Sequence, residues 1–313
     1  MTNAEILAVQ KADTALADLS GGSNGGLLNT EQSNIFFRKI IDQPTIVNEA
    51  RTVSMSSPKR EINKVGFGTR ILRTGFESAR DPRNLVVADR AKPTTGKVTL
   101  DTKEFLAEVR LPYEVLEDNV ERQNFSDTVM ELIAERVALD IEELVLLGDT
   151  NTVGDVYLAS LDGVLKNVAT NGATVNANGA SISKTLFRDS NKAMPDRFLR
   201  QKQSMRFYTS VDNETQYRDT LADRQTGLGD SLITGMAPVY AFGTPVAPVA
   251  LMPSDQILFL DPKNILVGFH REVMVETDKI IQERVYLIVV TLRMDVKIEE
   301  SEATVLVQNV AAV

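Results

Sequence analysis

The stretch that decides the fold is residues 58–97, which read PKREINKVGFGTRILRTGFESARDPRNLVVADRAKPTTGK. It is polar and basic, and it is too long for a connection, because structureless insertions beyond roughly a dozen residues are uncommon inside compact domains. Runs with the two-residue period of a half-buried strand, residues 64–71 and 104–111, flank its tip. The pattern predicts a long hairpin, here called the extended loop. A hairpin that leaves its own domain is stable only against another surface, so we expect a neighbouring subunit to contact it.

The extended loop differs in charge from the rest of the chain. It holds ten lysines and arginines against four acidic residues, a net charge of +6, so the remainder of a chain with net charge −9 carries −15. Nucleic-acid binding is not favoured, because the loop has only two aromatic residues, Phe67 and Phe76, and no base-reading helix or stacking platform. A basic loop that meets an acidic neighbouring subunit is the favoured interpretation. Its candidate contacts are Arg73, Phe76, Arg80, Arg83 and Arg90.

The composition is typical of a soluble globular protein, with 313 residues, 43% hydrophobic and 25% charged. No run of eighteen apolar residues is present, and the N-terminus lacks the basic start and apolar centre of a signal peptide. We therefore expect no membrane partner and a cytoplasmic site of action. The absence of cysteine excludes disulfides, thiolate chemistry and cysteine zinc sites.

The usual catalytic groups are also missing. His270, the only histidine, falls in a predicted strand with no cysteine nucleophile to serve, and we interpret it as structural. The Gly66-Phe67-Gly68 and Gly227-Leu228-Gly229 sequences lack the third glycine of a dinucleotide loop, and Gly96-Lys97 is followed by valine instead of Ser or Thr. We expect no catalytic residue, no cofactor and no metal site.

The N-terminal residues 1–20 predict an amphipathic helix, which a glycine-rich joint separates from the rest of the chain. An isolated helix of this length is marginal in water, so we expect a partner subunit to hold it. Its candidate contact residues are Ile6, Val9, Leu16 and Leu19.

The remainder of the chain predicts an α+β fold. The longest helix follows the cap Asn124 and stops at Gly148, about 23 residues or roughly 35 Å. Residues 149–180 are rich in Gly, Asn and Thr and mark a domain boundary near 150. Residues 285–290 are apolar on both faces, which is typical of a central strand. Further predicted helices are 30–42, 183–194 and 213–221, and further strands are 45–56, 205–210, 238–250, 265–269, 272–276, 284–293 and 304–310.

Several short sequences occur in a characteristic order along the chain. They are Gly25-Gly26-Leu27-Leu28, the extended loop, residues 105–118 (FLAEVRLPYEVLED), the long helix ending Leu147-Gly148-Asp149, Leu161-Asp162-Gly163-Val164-Leu165, Gly243-Thr244-Pro245-Val246 and Met252-Pro253. In this order they resemble the major capsid protein family of tailed bacteriophages, which has the Hong Kong 97-type fold.

The resemblance implies a division into capsid domains. These are an N-terminal arm (1–30), a lead-in helix and strand of the peripheral domain (31–57), the extended loop (58–97), the peripheral domain with its spine helix (98–150), an axial domain (151–270) and return strands of the peripheral domain (271–313). One branch of the family crosslinks a lysine of the extended loop to a late asparagine. No asparagine lies between Asn264 and Asn309, so we do not expect that crosslink.

The resemblance also implies a function and partners. We expect a major capsid protein that forms pentamers and hexamers of itself in an icosahedral virion shell around double-stranded DNA, without sequence-specific contact. Scaffold, portal and cement proteins are further implied partners, and assembly is expected in the host cytoplasm. A cargo-enclosing bacterial shell protein or a gene-transfer-agent capsid is the alternative, and a soluble cytoplasmic enzyme is a remote one.

Overall fold

A computed structural model describes residues 46–67, 70–72, 90–114, 125–222 and 238–311. The helices are α1 (Ile46–Glu49), α2 (Phe125–Leu147), α3 (Val164–Asn171), α4 (Lys184–Ala193) and α5 (Val211–Ala222). The strands are β1 (Arg51–Ser54), β2 (Lys59–Gly66), β3 (Thr94–Asp101), β4 (Lys103–Pro112), β5 (Ala173–Asn176), β6 (Arg206–Thr209), β7 (Tyr240–Ala241), β8 (Thr244–Pro248), β9 (Ile257–Leu260), β10 (Ile265–Ile280), β11 (Val285–Ile298) and β12 (Thr304–Gln308). Short 3₁₀ turns lie at Leu158–Ser160, Leu199–Ser204, Pro262–Asn264 and Ser301–Ala303.

A four-stranded sheet with the order β1-β10-β11-β4 forms one part of the body. The long helix α2 packs on it through Val137, Ile141 and Leu144, which share one core with Val290 and Leu292 of β11. The predicted helix between Asn124 and Gly148 is therefore confirmed, with 23 residues. The predicted central strand is confirmed as well, because β11 pairs with β10 on one side and with β4 on the other.

The pairing predicted for the extended loop was wrong on one side. The hairpin forms between β2 and β3, with Gly66 opposite Thr94 and Lys59 opposite Asp101. The predicted second strand at 104–111 is β4, which pairs along its length with β11 in the body sheet. The two-residue period of β4 was read correctly, since Phe105, Val109 and Leu111 point inward. That period defines the buried face of a strand but not the strand it pairs with.

A second sheet has six strands in the order β5-β12-β9-β6-β8-β7. Strand β12, which the sequence analysis grouped with the return strands at 271–313, lies in this sheet between β5 and β9. The physical reason is that residues 304–307 are all buried, which requires a covered sheet face on both sides. Leu306 packs in the core shared with α2, whereas Val305 and Val307 pack in a second core with Phe187 of α4.

Some of the other predicted elements are confirmed and some differ from the structure. The helices near 183–194 and 213–221 are confirmed as α4 and α5. The strands predicted at 265–269 and 272–276 form one strand, β10, with register irregularities between Phe269 and Met274. Residues 45–56, predicted as strand-like, begin with the helical turn α1. The sequence analysis missed α3 inside its glycine-rich region. The predicted helices at 1–20 and 30–42 lie outside the described residues.

Candidate assembly surfaces

The sequence-predicted contact residues fall mostly outside the part of the chain that the structure describes. Arg90 is described and is exposed just before β3. The others are Ile6, Val9, Leu16, Leu19, Arg73, Phe76, Arg80 and Arg83, and their role as contacts stays a prediction. The structure does describe the residues next to each predicted assembly segment. These residues are called the roots of the segments: β2 and β3 for the extended loop, and α1 for the N-terminal segment.

The root of the extended loop is held by a small apolar core. Leu100 of β3 is fully buried there against Val53, Met55 and Leu266. These side chains pack closely over Gly268 of β10, because a Cβ atom there would lie 2.9 Å from the Met55 sulfur and 3.0 Å from a Leu100 methyl group. The first strand of the body and the second strand of the loop therefore interlock over β10.

A buried carboxylate holds the same root from the other side. Asp295 of β11 is 3% exposed, and its two oxygens accept hydrogen bonds of 2.8 Å from the backbone N–H groups of Asp101 and Val296. Burial raises the pKa of Asp295 above its usual range, against the lowering effect of these hydrogen bonds and of Lys297. The sequence analysis missed Asp295, which lies just beyond the strand predicted at 284–293, although an acid between the apolar residues Met294 and Val296 could have indicated it.

Beyond its root, the described part of the loop presents exposed apolar side chains. Val65 is 70% exposed and Leu72 is 85% exposed, and Phe67 and Ile71 are also exposed. Ion pairs run along the hairpin at 2.8 Å between Lys97 and Glu61 and at 3.1 Å between Lys59 and Asp101. Another of 3.5 Å links Lys64 to Glu300 of the body. Exposed pairs of this kind contribute only about 0–1 kcal/mol each, so they orient the loop more than they stabilise it.

The root of the N-terminal segment is anchored at Ile46, which is fully buried in the main core. Its backbone N–H donates a 2.7 Å hydrogen bond to the buried Glu142 carboxylate of α2. Three residues later, Glu49 pairs with Arg206 of β6 at 2.9 Å and accepts a hydrogen bond from the Tyr208 hydroxyl. Burial and this carboxylate raise the pKa of Tyr208. The chain therefore enters the body at a fixed point between α2 and β6.

The only histidine of the chain does not belong to a metal-binding cluster among the described residues. His270 lies in β10, and its Nδ1 atom is buried without a hydrogen-bond partner among the described residues. In the same part of the chain, no three His, Cys, Asp or Glu side chains are close enough to hold a metal ion. Within the described helices, none combines the length and the apolar character needed to span a bilayer. The described residues form a body that carries the separate two-stranded β2-β3 hairpin.

Comparison with known proteins identifies this architecture. Residues 24–309 match the phage capsid family. The chain belongs to that family. It is 39% identical over 315 residues to the prophage capsid protein YqbE of Bacillus subtilis (strain 168), with 97% of each sequence covered. It is a major capsid protein.

Solved capsid structures share the fold at low identity. The capsid of a native GTA particle matches with a TM-score of 0.66 at 16% identity, covering 96% of this chain and 99% of that chain. Mycobacterium phage Bobi matches with a TM-score of 0.61 at 13% identity, covering 95% of this chain and 99% of that chain. The fold is therefore the Hong Kong 97-type capsid fold.

In this capsid protein, two of the motifs that carried the resemblance meet in space. Gly148 ends α2 and Gly163 precedes α3, and the N–H of Gly163 donates a 2.8 Å hydrogen bond to the Gly148 carbonyl. A Cβ atom at Gly163 would lie 2.7 Å from the Val145 carbonyl oxygen and 2.8 Å from the Gly148 nitrogen. Only glycine allows the two backbones to approach this closely. The motifs therefore mark the junction between the long helix and the six-stranded sheet.

Proposed function

We propose that copies of this chain assemble into a closed icosahedral shell of pentamers and hexamers, and that the shell encloses the double-stranded DNA of a tailed phage. The observation that carries the proposal is the extended loop: a capsid-family chain projects a basic hairpin whose apolar residues, led by Leu72, are exposed in the isolated subunit. Repetition of the chain around symmetry axes can cover such surfaces on every copy.

Within the shell, the extended loop crosses a subunit boundary, with Arg73, Arg80, Arg83 and Arg90 as its main polar contacts. The difference between the +6 loop and the −15 remainder attracts copies to one another in a defined orientation. The acidic remainder can face packaged DNA without adhering to it. We further propose that the N-terminal arm docks on a neighbouring subunit or on the inner face of the shell.

The proposed division into peripheral and axial domains follows the two sheets. We assign the four-stranded sheet with α2 to the peripheral domain and the six-stranded sheet to most of the axial domain, and the separation of the strands into these two sheets supports the assignment. Assembly in the host cytoplasm, with scaffold and portal proteins and with cement proteins on the outside, belongs to the same proposal. The 39% identity to a prophage capsid protein favours a phage shell over a cargo shell or a gene-transfer-agent capsid.

Size-exclusion chromatography and negative-stain imaging of the purified chain test the proposal. We expect closed particles tens of nanometres across at neutral pH. A protein that stays a 34.5 kDa monomer across a wide range of protein and salt concentrations would contradict it.

A further inference from the structure

A second basic segment, residues 184–206, runs over the six-stranded sheet from α4 to β6 and is here called the α4 patch. By sequence it holds seven basic and two acidic residues, a net charge of +5. The whole chain carries −9 and the extended loop +6, so the residues outside both basic segments carry −20. The α4 patch therefore interrupts a strongly acidic body with a surface that attracts anions.

Helix α4 presents its basic residues on one side. Leu186 and Phe187 are buried and fix the inner face of the helix in the second core. Lys184, Arg188 and Lys192 follow one another at intervals of four residues and are all exposed. Four residues span about 6 Å along a helix, so the three charges form a row. Like charges at this spacing destabilise a helix, and an anionic partner offsets that cost.

Several cations of the α4 patch have no acidic partner in the subunit. Arg188 pairs with Asp189 at 3.0 Å, and Arg197 pairs with Glu302. In contrast, three exposed cations form no ion pair with any residue that the structure describes. These three are Lys184, Lys192 and Arg200. They are available to an anion outside the subunit.

The rest of the surface around these cations is polar. Of the large apolar side chains that are exposed in the described residues, none comes from residues 157–210. The guanidinium of Arg197 covers the ring of the neighbouring Phe198 at 4.5 Å from its centroid. Interfaces between proteins centre on apolar and aromatic anchors, whereas surfaces that contact DNA are more polar and more positively charged. Exposed Thr185 and Gln203 are also of the residue types that bond to phosphate oxygens.

We propose that the α4 patch contacts the phosphate groups of duplex DNA without reading its sequence, with Lys184, Lys192 and Arg200 as the main contacts. This inference rests on the proposed function and names the surface of the subunit that meets the enclosed DNA. The α4 patch holds the duplex locally, while the −20 remainder repels it elsewhere.

The salt dependence of DNA binding tests the proposal. Fluorescence anisotropy of a labelled duplex of about 30 base pairs is measured with the full chain as unassembled subunits. The test variant carries Lys184→Gln, Lys192→Gln and Arg200→Gln. Each phosphate contact contributes about 0.9 to the slope of log affinity against log salt concentration. Between 50 and 200 mM salt, the parent should therefore lose about fortyfold more affinity than the test variant.

A control variant removes the same net charge from exposed positions outside the α4 patch. Its three substitutions are Lys103→Gln, Lys279→Gln and Arg284→Gln. Because these residues lie in or next to the strands of the four-stranded sheet, the control should keep the salt slope of the parent. A parental slope in the test variant, or an equal decrease in test and control, would overturn the proposal.

Particle formation separates this inference from the proposed function. The test variant should form particles with the yield of the parent, because the α4 patch contacts DNA and not a second subunit. A test variant that binds the duplex like the parent but forms fewer particles would place the acidic surface of another copy on the α4 patch and overturn the inference. A parent that binds the duplex with the expected slope difference but forms no particles would contradict the proposed function alone.

Discussion

Substitution of Gly163 by alanine should destabilise the subunit measurably. The added Cβ atom would lie 2.7 Å from the Val145 carbonyl oxygen, 2.8 Å from the Gly148 nitrogen and 3.0 Å from the Leu144 carbonyl oxygen. All three are backbone atoms, so the end of α2 must move away from the loop before α3. Movement also breaks the 2.8 Å hydrogen bond between Gly163 and Gly148.

The size of the effect follows from these contacts. Overpacking costs about 1–3 kcal/mol and loss of a buried hydrogen bond about 0.5–1.5 kcal/mol, so we expect a loss of about 2–4 kcal/mol. With an unfolding entropy of about 2.1 cal/mol/K per residue, a chain of 313 residues has about 0.7 kcal/mol/K. The Tm of Gly163→Ala should therefore fall by about 3–6 °C.

Differential scanning calorimetry of the unassembled subunit measures this change. Gly96→Ala is the matched control, because a Cβ atom at Gly96 meets nothing within 4 Å, and its Tm should equal or slightly exceed that of the parent. If Gly163→Ala and Gly96→Ala melt at the same temperature, the close backbone approach at the helix junction does not require glycine.

Three further predictions concern the N-terminal arm, the arginines of the extended loop and the buried Asp295. Deletion of residues 1–26 should leave the circular dichroism spectrum of the body unchanged but lower particle yield, because the predicted apolar stripe loses its burial; equal yield and equal Tm would show that the N-terminal arm is dispensable. Replacement of four loop arginines by alanine should reduce particle yield more at low salt than at high salt, and salt-independent yield would exclude the electrostatic account. Those residues are Arg73, Arg80, Arg83 and Arg90. Burial raises the folded-state pKa of Asp295, so its contribution to the free energy of unfolding grows as the pH falls from neutral towards the unfolded value. The Tm difference, parent minus Asp295→Asn, should therefore become more positive as the pH is lowered from 7 to 4. A difference that stays constant would contradict the raised pKa of Asp295.

The sequence predicted those elements whose signal is local. The helix α2 was found to within a residue because its apolar positions repeat at helical spacing between a capping Asn124 and a terminating Gly148. The central position of β11 was found because residues 285–290 are apolar on both faces. The projecting hairpin was found from its length and charge. Each of these features depends on residues that are neighbours in the chain.

The sequence did not predict features that depend on distant residues. Strand β4 pairs with β11, more than 170 residues later, and nothing in its alternating pattern specifies that partner. Helix α3 was hidden in a region of glycine and asparagine because its stability comes from burial of Val164 and Val168 in the main core. At the candidate site, the basic loop was predicted, but the Asp295 anchor was not.

Removal of the extended loop above its root tests most directly whether this loop joins one subunit to the next. Gly66 and Thr94 face each other at the end of the hairpin, so an Asn-Gly turn can replace residues 67–93 and keep β2, β3 and the Leu100 core. Mass photometry of the shortened chain beside the parent then measures assembly alone. We expect particles from the parent and only single subunits from the shortened chain, whose body should melt at the same temperature as that of the parent. Particles formed equally well by both would contradict the claim that the extended loop joins one capsid subunit to the next.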